Sequence, residues 1–159
     1  MTEVAALHAH LRSRGATVAV AESLTGGLLT GALTEPGGAS SVLRGGLVVY
    51  ATDLKAALAG VDEALLEDRG AVDPDVAAQL AAGARDRLSA TFGLGVTGVA
   101  GPDQQDGRAV GTVYGAVSGP DGTVVQEFRL AGNRSEIRAA AVAACLELLA
   151  RECGMPPSS

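Results

Sequence analysis

Ser23 and Lys55 are the two side chains whose types and settings could do covalent chemistry. Ser23 falls in Val18-Ala19-Val20-Ala21-Glu22-Ser23-Leu24-Thr25-Gly26-Gly27, an apolar run followed by hydroxyls and two glycines. That order reads as a strand turning into a glycine-opened helix. The start of a helix presents unpaired N–H groups, which together with the helix dipole suit a phosphate or a developing oxyanion. A serine there can equally be a plain helix cap. Thr25 competes for the cap because it lies closer to the glycines, which leaves Ser23 free to attack.

Lys55 is the only lysine in the chain, beside eleven arginines. Arginine therefore supplies the general surface charge, and a lone lysine after a strand, near Tyr50, invites a specific role. Burial can lower a lysine pKa far enough for it to serve as a general base, which arginine cannot do. A Ser–Lys pair activates a hydroxyl without histidine. The plainer reading of Lys55 is an exposed residue at the start of a short helix.

The elements that must position these residues follow from pattern. Val4, Leu7 and Leu11 repeat at helical spacing, with Gly15 to end the helix. Strands are expected over Thr17 to Ala21, Gly46 to Ala51 and Phe92 to Val96, and helices over Gly26 to Thr34, Asp53 to Ala59 and Asp62 to Asp68. Asp73-Pro74-Asp75 is a strong helix start, and Val76, Leu80, Ala84 and Leu88 continue it as one apolar stripe. Gly111 to Val117 and Thr123 to Leu130 form a hairpin around Gly119-Pro120-Asp121-Gly122. Asn133 and Glu136 match a capping box, ahead of a last helix carrying Ile137, Ala141, Cys145 and Leu148 on one face.

Helices alternating with strands, with one late hairpin, imply an α/β fold. The expectation is a three-layer α/β/α sandwich with a mixed, mostly parallel five-stranded sheet and one antiparallel strand. Such sheets bind ligands beyond the carboxyl ends of their strands, where Ser23, Tyr50 and Thr97 are expected to converge.

The 159 residues suit one domain, and the net charge of −6 argues against a nucleic-acid binder. Aromatic residues make up 3% with no tryptophan, too few for a base-stacking platform. Cys145 and Cys153 have no metal or redox spacing, and Cys145 reads as a buried structural thiol. His8 and His10, two apart on the first helix, cannot share a face and are expected to be solvated. No metal site is expected. With no signal peptide or membrane run, a cytoplasmic location without membrane attachment is expected.

Ala21-Glu22-Ser23-Leu24-Thr25-Gly26-Gly27 closely resembles the AESCTGG signature of the CinA C-terminal domain family, the nicotinamide-nucleotide amidases. Gly45-Gly46-Leu47-Val48-Val49-Tyr50 through Lys55 resembles that family's GG-x-V-x-Y-x₄-K segment. Gly70-Ala71-Val72, Val96-Thr97-Gly98-Val99-Ala100-Gly101-Pro102 and Val110-Gly111-Thr112-Val113 resemble further family motifs in the same order. The match covers about residues 3 to 151. It implies one amidohydrolase domain over 1–153 in stand-alone form, without the N-terminal molybdopterin-binding-like domain of many members; the remaining 154–159, with Met155-Pro156-Pro157-Ser158-Ser159, read as a flexible tail.

The resemblance also implies an activity: hydrolysis of the carboxamide of nicotinamide mononucleotide to nicotinate mononucleotide and ammonia, with no cofactor. By matching position, Ser23 resembles the nucleophile, Lys55 its base, and Tyr50 a hydroxyl that orients the pair. Thr25, Gly26 and Gly27 would bind substrate or oxyanion through their backbone. Ser40, Gly46, Thr97 and Gly98 resemble substrate-binding positions, and Arg134 an arginine suited to the phosphate. Leu24 stands where the family usually has cysteine. Gln104-Gln105 and Ala109 replace glycines and a proline in the loop from Gly101. The altered loop supports an alternative reading, a nucleotide- or partner-binding module with reduced catalysis. The expected partner is a small-molecule nucleotide, and a homo-oligomer is left open.

Overall fold

The structure is a computed structural model and describes residues Thr2–Pro157. Alternation along β1 (Val18–Glu22) sets up its layers. Val18 and Val20 face one apolar cluster, while Ala19 and Ala21 face another, as a period of two requires. The first cluster is closed by α1 (Val4–Ser13), α2 (Leu28–Thr34) and α6 (Arg134–Glu152). The second face is covered by α3 (Thr52–Ala59), α4 (Glu63–Arg69) and α5 (Pro74–Arg87).

The sheet has the order β2-β1-β3-β4-β5, with β2 at Leu43–Val48, β3 at Phe92–Gly98, β4 at Thr112–Gly119 and β5 at Gly122–Arg129. β1 pairs parallel with β2 and β3, and β4 runs antiparallel to β3 and β5. One strand of five is therefore reversed, and the expected three-layer mixed sandwich is borne out. Among the described residues no helix is long and apolar enough to cross a membrane.

Close approach explains part of the glycine content. A methyl at Gly93 or Gly95 would run into the backbone of α5 at Ala81 and Ala77, so their absence lets α5 lie directly on β3. Asp73 caps α5 by accepting from Asp75 N at 2.8 Å, and the Asn133–Glu136 capping box is formed at the start of α6.

Several boundaries differ from expectation. β2 begins three residues before Gly46, because its pairing with β1 starts at Leu43 opposite Val18. It ends at Val48, its last pair with Glu22, so Tyr50 lies in the loop beyond the strand. α2 begins at Leu28 rather than Gly26, since Gly26 and Gly27 have φ of 58° and 105°, outside the helical region. β3 runs two residues further, to Gly98.

His8 is a correction: it is 1% exposed, and among the described residues neither ring nitrogen has a partner. It flanks Leu7 and Leu11 on the side of α1 turned to the core. His10 is half-buried and its Nε2 lies 3.0 Å from Cys153 O. Of the expected tail, Ser158 and Ser159 lie outside the described residues. Met155 N bonds Ala150 O, and its side chain packs on the core.

Candidate active site

The site is built at the carboxyl ends of β1 and β2. Ser23 follows β1 directly, and its N–H bonds Val96 O on β3. Lys55 comes from the first turn of α3 and reaches back under the β2–α3 loop. Its Nζ lies 2.9 Å from Ser23 Oγ, 2.8 Å from Val49 O and 3.2 Å from Tyr50 O. The side chain is 1% exposed. All three acceptors are neutral oxygens, so no contacting carboxylate offsets the cost of burying the ammonium. Burial lowers the Lys55 pKa to about 8, against the more distant Asp106 carboxylate, which raises it. A buried amine that loses its proton near neutrality and touches a hydroxyl can take that hydroxyl's proton.

Above Ser23 is a cleft of about 110 Å³, lined among others by Leu24, Gly98, Gly101, Asp103 and Arg134. That is below the roughly 300–1,000 Å³ of common ligand clefts, so it has room for only one small end of a ligand of that size. Arg134 and Tyr50 form the rim. Arg134 Nη1 donates to Gly101 O at 2.6 Å, and Nη2 to Tyr50 Oη at 2.9 Å. Both side chains are exposed, ready for an anion. A larger cavity of about 520 Å³, beside Arg14, Phe92 and Asp121, lies at the opposite end of the sheet and touches neither Ser23 nor Lys55.

Glu22, which sequence reasoning did not assign a role, is the central support. It is 0% exposed and faces α2. Its Oε1 accepts from Thr25 Oγ1 at 2.5 Å, Gly27 N at 2.9 Å and Leu29 N at 3.1 Å. Its Oε2 accepts from Thr30 N at 2.8 Å and Thr30 Oγ1 at 2.6 Å. Burial pushes this carboxyl's pKa up, but the hydrogen bonds outweigh it and hold the pKa below the ordinary value. The signal was present in the sequence: a carboxylate ending an apolar strand, with threonines three and eight residues on.

This arrangement corrects several expected roles. The start of α2 is occupied by the protein's own carboxylate, so Gly27 N–H is not available to substrate. Gly26 N–H is also spent, on Ser23 O at 3.0 Å. The Thr25 hydroxyl serves Glu22 rather than a ligand or cap. Among the described residues, the Leu24 and Thr25 amides have no protein acceptor. The Tyr50 hydroxyl touches neither Ser23 nor Lys55; its backbone carbonyl holds the lysine instead.

Three expected binding residues are not brought to the cleft. Ser40 sits in a 3₁₀ turn, Ala39–Ser41, at the amino end of β2, the opposite end of the parallel strands from Ser23. Gly46 lies mid-strand, where a side chain would overlap Thr30 and disturb its bonds to Glu22. Thr97 points to the α5 face, where its hydroxyl donates to Ala71 O at 2.8 Å. Strand alternation turns it away from the cleft that its neighbour Gly98 lines. Cys145 is fully buried, its thiol pushed up to about 12, as an inert core residue.

Comparison with known proteins is consistent along the chain. The model for the CinA C-terminal domain matches residues 2–153. A CinA-like protein of Frankia casuarinae is 53% identical over 149 residues, covering 94% of this chain and 34% of that protein. Another, from Acidobacterium capsulatum, is 50% identical over 143 residues, covering 89% of this chain and 34% of that protein. The chain thus spans about a third of the length of these relatives. The crystal structure of the competence/damage inducible protein CihA from Agrobacterium tumefaciens superposes with a TM-score of 0.86 at 39% identity, covering 92% of each chain. A CinA superfamily protein from Enterobacter cloacae gives 0.91 at 29% identity, covering 97% of this chain and 94% of that one. On this breadth of match, the chain belongs to the CinA C-terminal domain family.

Proposed function

We propose that the chain is a nicotinamide-nucleotide amidase that hydrolyses the carboxamide of nicotinamide mononucleotide to nicotinate mononucleotide and ammonia. The observation that carries this reading is the buried contact of 2.9 Å between Lys55 Nζ and Ser23 Oγ. Neutral Lys55 takes the Ser23 proton as Oγ attacks the carboxamide carbon. The Leu24 amide, on a residue that lines the cleft beside Ser23, serves the oxyanion, as the N–H after the nucleophile does at other strand-to-helix turns. Lys55 returns the proton to the departing nitrogen, which leaves as ammonia. Water then attacks the acyl-enzyme while Lys55 takes its proton, and Ser23 is reprotonated.

The small cleft suits the carboxamide end, and Arg134 at the rim suits the phosphate. The ring's positive charge makes the carboxamide carbon more electrophilic and fits an acidic protein. In this reading the chain recycles pyridine nucleotides in the cytoplasm without a cofactor. The test is ammonia release from nicotinamide mononucleotide by the purified chain and by Ser23→Ala. Turnover by the wild type and none by the folded variant is expected. Tight binding without any ammonia from the wild type would instead favour a binding module.

A further inference from the structure

Arg138 lies one helical turn beyond Arg134 on α6, so the two reach the same region from one helix face. Arg134 goes over the cleft. Arg138 goes behind it: its Nε donates to Leu24 O at 2.9 Å and its Nη2 to Thr25 O at 3.2 Å. These are the two carbonyls that follow Ser23. Gly26 carries no side chain where the guanidinium passes; a methyl there would lie 3.0 Å from Nη2.

A peptide unit is planar and trans, so its N–H points opposite to its C=O. Fixing Leu24 O on Arg138 aims Thr25 N–H away from α6. Fixing Ser23 O on Gly26 N aims Leu24 N–H away from Gly26. The other side of the turn is held by Glu22 through Thr25 Oγ1 and Gly27 N. Two charged side chains of opposite sign thus grip the same five residues, one by its carbonyls and one by its N–H and O–H groups.

We propose that Arg138 is a positioning residue for the nucleophile. Its guanidinium, with Glu22 opposite, fixes the Ser23–Gly27 turn so that Ser23 Oγ stays on Lys55 and the Leu24 amide stays free for the oxyanion. The inference rests on the Ser–Lys reading above, but not on which amide is the substrate. A lysine at this place has no flat fork with which to span two carbonyls, so charge alone does not replace it.

The test reads Ser23 directly, by its rate of modification with a fluorophosphonate, followed by mass spectrometry, alongside ammonia release from nicotinamide mononucleotide. Displacing reacting atoms by about 1 Å can cost on the order of a hundredfold. Folded R138A is therefore expected to lose at least about tenfold in labelling and in kcat, with KM little changed. Millimolar guanidinium should restore much of the loss, a rescue that mere destabilisation would not show. R138K, the milder change, should fold and fall between the two. Labelling of R138A or R138K at the wild-type rate would overturn the proposal, as would a loss that guanidinium leaves untouched in a variant with wild-type Tm. A wild type without Ser23 labelling would overturn it too. Labelling that depends on Arg138 in a protein that releases no ammonia would reject the substrate and keep the positioning role.

Discussion

Lys55 Nζ donates to Ser23 Oγ at 2.9 Å while also donating to the carbonyls of Val49 and Tyr50. Three acceptors match the three protons of an ammonium, so this is the resting, protonated arrangement. Catalysis requires the amine to give one up. With a pKa of about 8, about a tenth of it is neutral at pH 7. The kcat/KM for amide hydrolysis should therefore rise about tenfold per pH unit below neutrality and level off above about pH 8.5. Lys55→Arg keeps the charge but not the proton transfer, and should lose at least about a hundredfold, close to Lys55→Ala. An arginine variant with most of the activity and the same profile would make Lys55 a binding charge.

Asp106 gives a second handle on the same proton. Its charge holds the Lys55 pKa higher than burial alone would. Asp106→Asn removes that charge, and Asn Oδ1 can still accept from Ala71 N, which Asp106 Oδ2 now does at 2.9 Å. The Lys55 pKa should fall further, and the rising limb of kcat/KM should move to lower pH. A profile that stays in place would show that the Asp106 charge does not reach the amine.

The sequence carried the layer order because its signals are local or periodic, and the members of the Ser–Lys pair, 32 residues apart, because each stands out by its own residue type and setting. Apolar alternation in β1, the Asp73-Pro74 start of α5 and the Asn133 capping box are each readable within a few residues. A single lysine among eleven arginines pointed at Lys55 for a chemical reason. The misplaced residues share another cause. Ser40, Gly46 and Thr97 stand out by motif, whereas their positions depend on the register of β2 and the facing of β3. The roles of Glu22 and Arg138 depend on contacts across the turn. The Leu24 carbonyl and the Arg138 side chain are 114 residues apart, and nothing local announces that contact.

Glu22 should matter for stability beyond the usual worth of one surface carboxylate. Glu22→Gln keeps the shape but turns one oxygen into an NH₂. Whichever way the amide is placed, that NH₂ faces at least one backbone N–H: Thr30 on one side, Gly27 and Leu29 on the other. An unmatched buried donor costs about 1–3 kcal/mol, and about 2 kcal/mol lowers Tm by roughly 4–8 °C in a chain of this size. The sign with pH also follows. The folded pKa is depressed, so Glu22 contributes fully above its unfolded value of 4.5 and loses that contribution as pH falls through the folded value. The gap between wild type and variant in Tm should be widest near neutrality and close under acid. A constant gap would mean that charge is not what Glu22 supplies.

His8 predicts a separate loss of stability at milder acidity. Its imidazole is 1% exposed with no partner for either nitrogen among the described residues. Burial first, and then the Arg12 cation one turn along α1, hold its pKa below the ordinary 6.5. The folded state therefore prefers neutral imidazole, while the unfolded chain takes up a proton near pH 6.5. The unfolded state binds more protons in that window, so stability is complete above pH 6.5 and falls as the pH drops below it. Glu22 titrates lower, so the two effects separate along the pH axis. His8→Leu removes the titration and both unmatched nitrogens. At pH 8 it should be as stable as wild type or more so, by on the order of 1 kcal/mol, about 2–4 °C in Tm. Between pH 8 and roughly pH 5.5 the wild-type Tm should fall more than that of the variant. Parallel curves in thermal denaturation would show that His8 keeps the same proton uptake folded and unfolded, and that some partner reaches its ring.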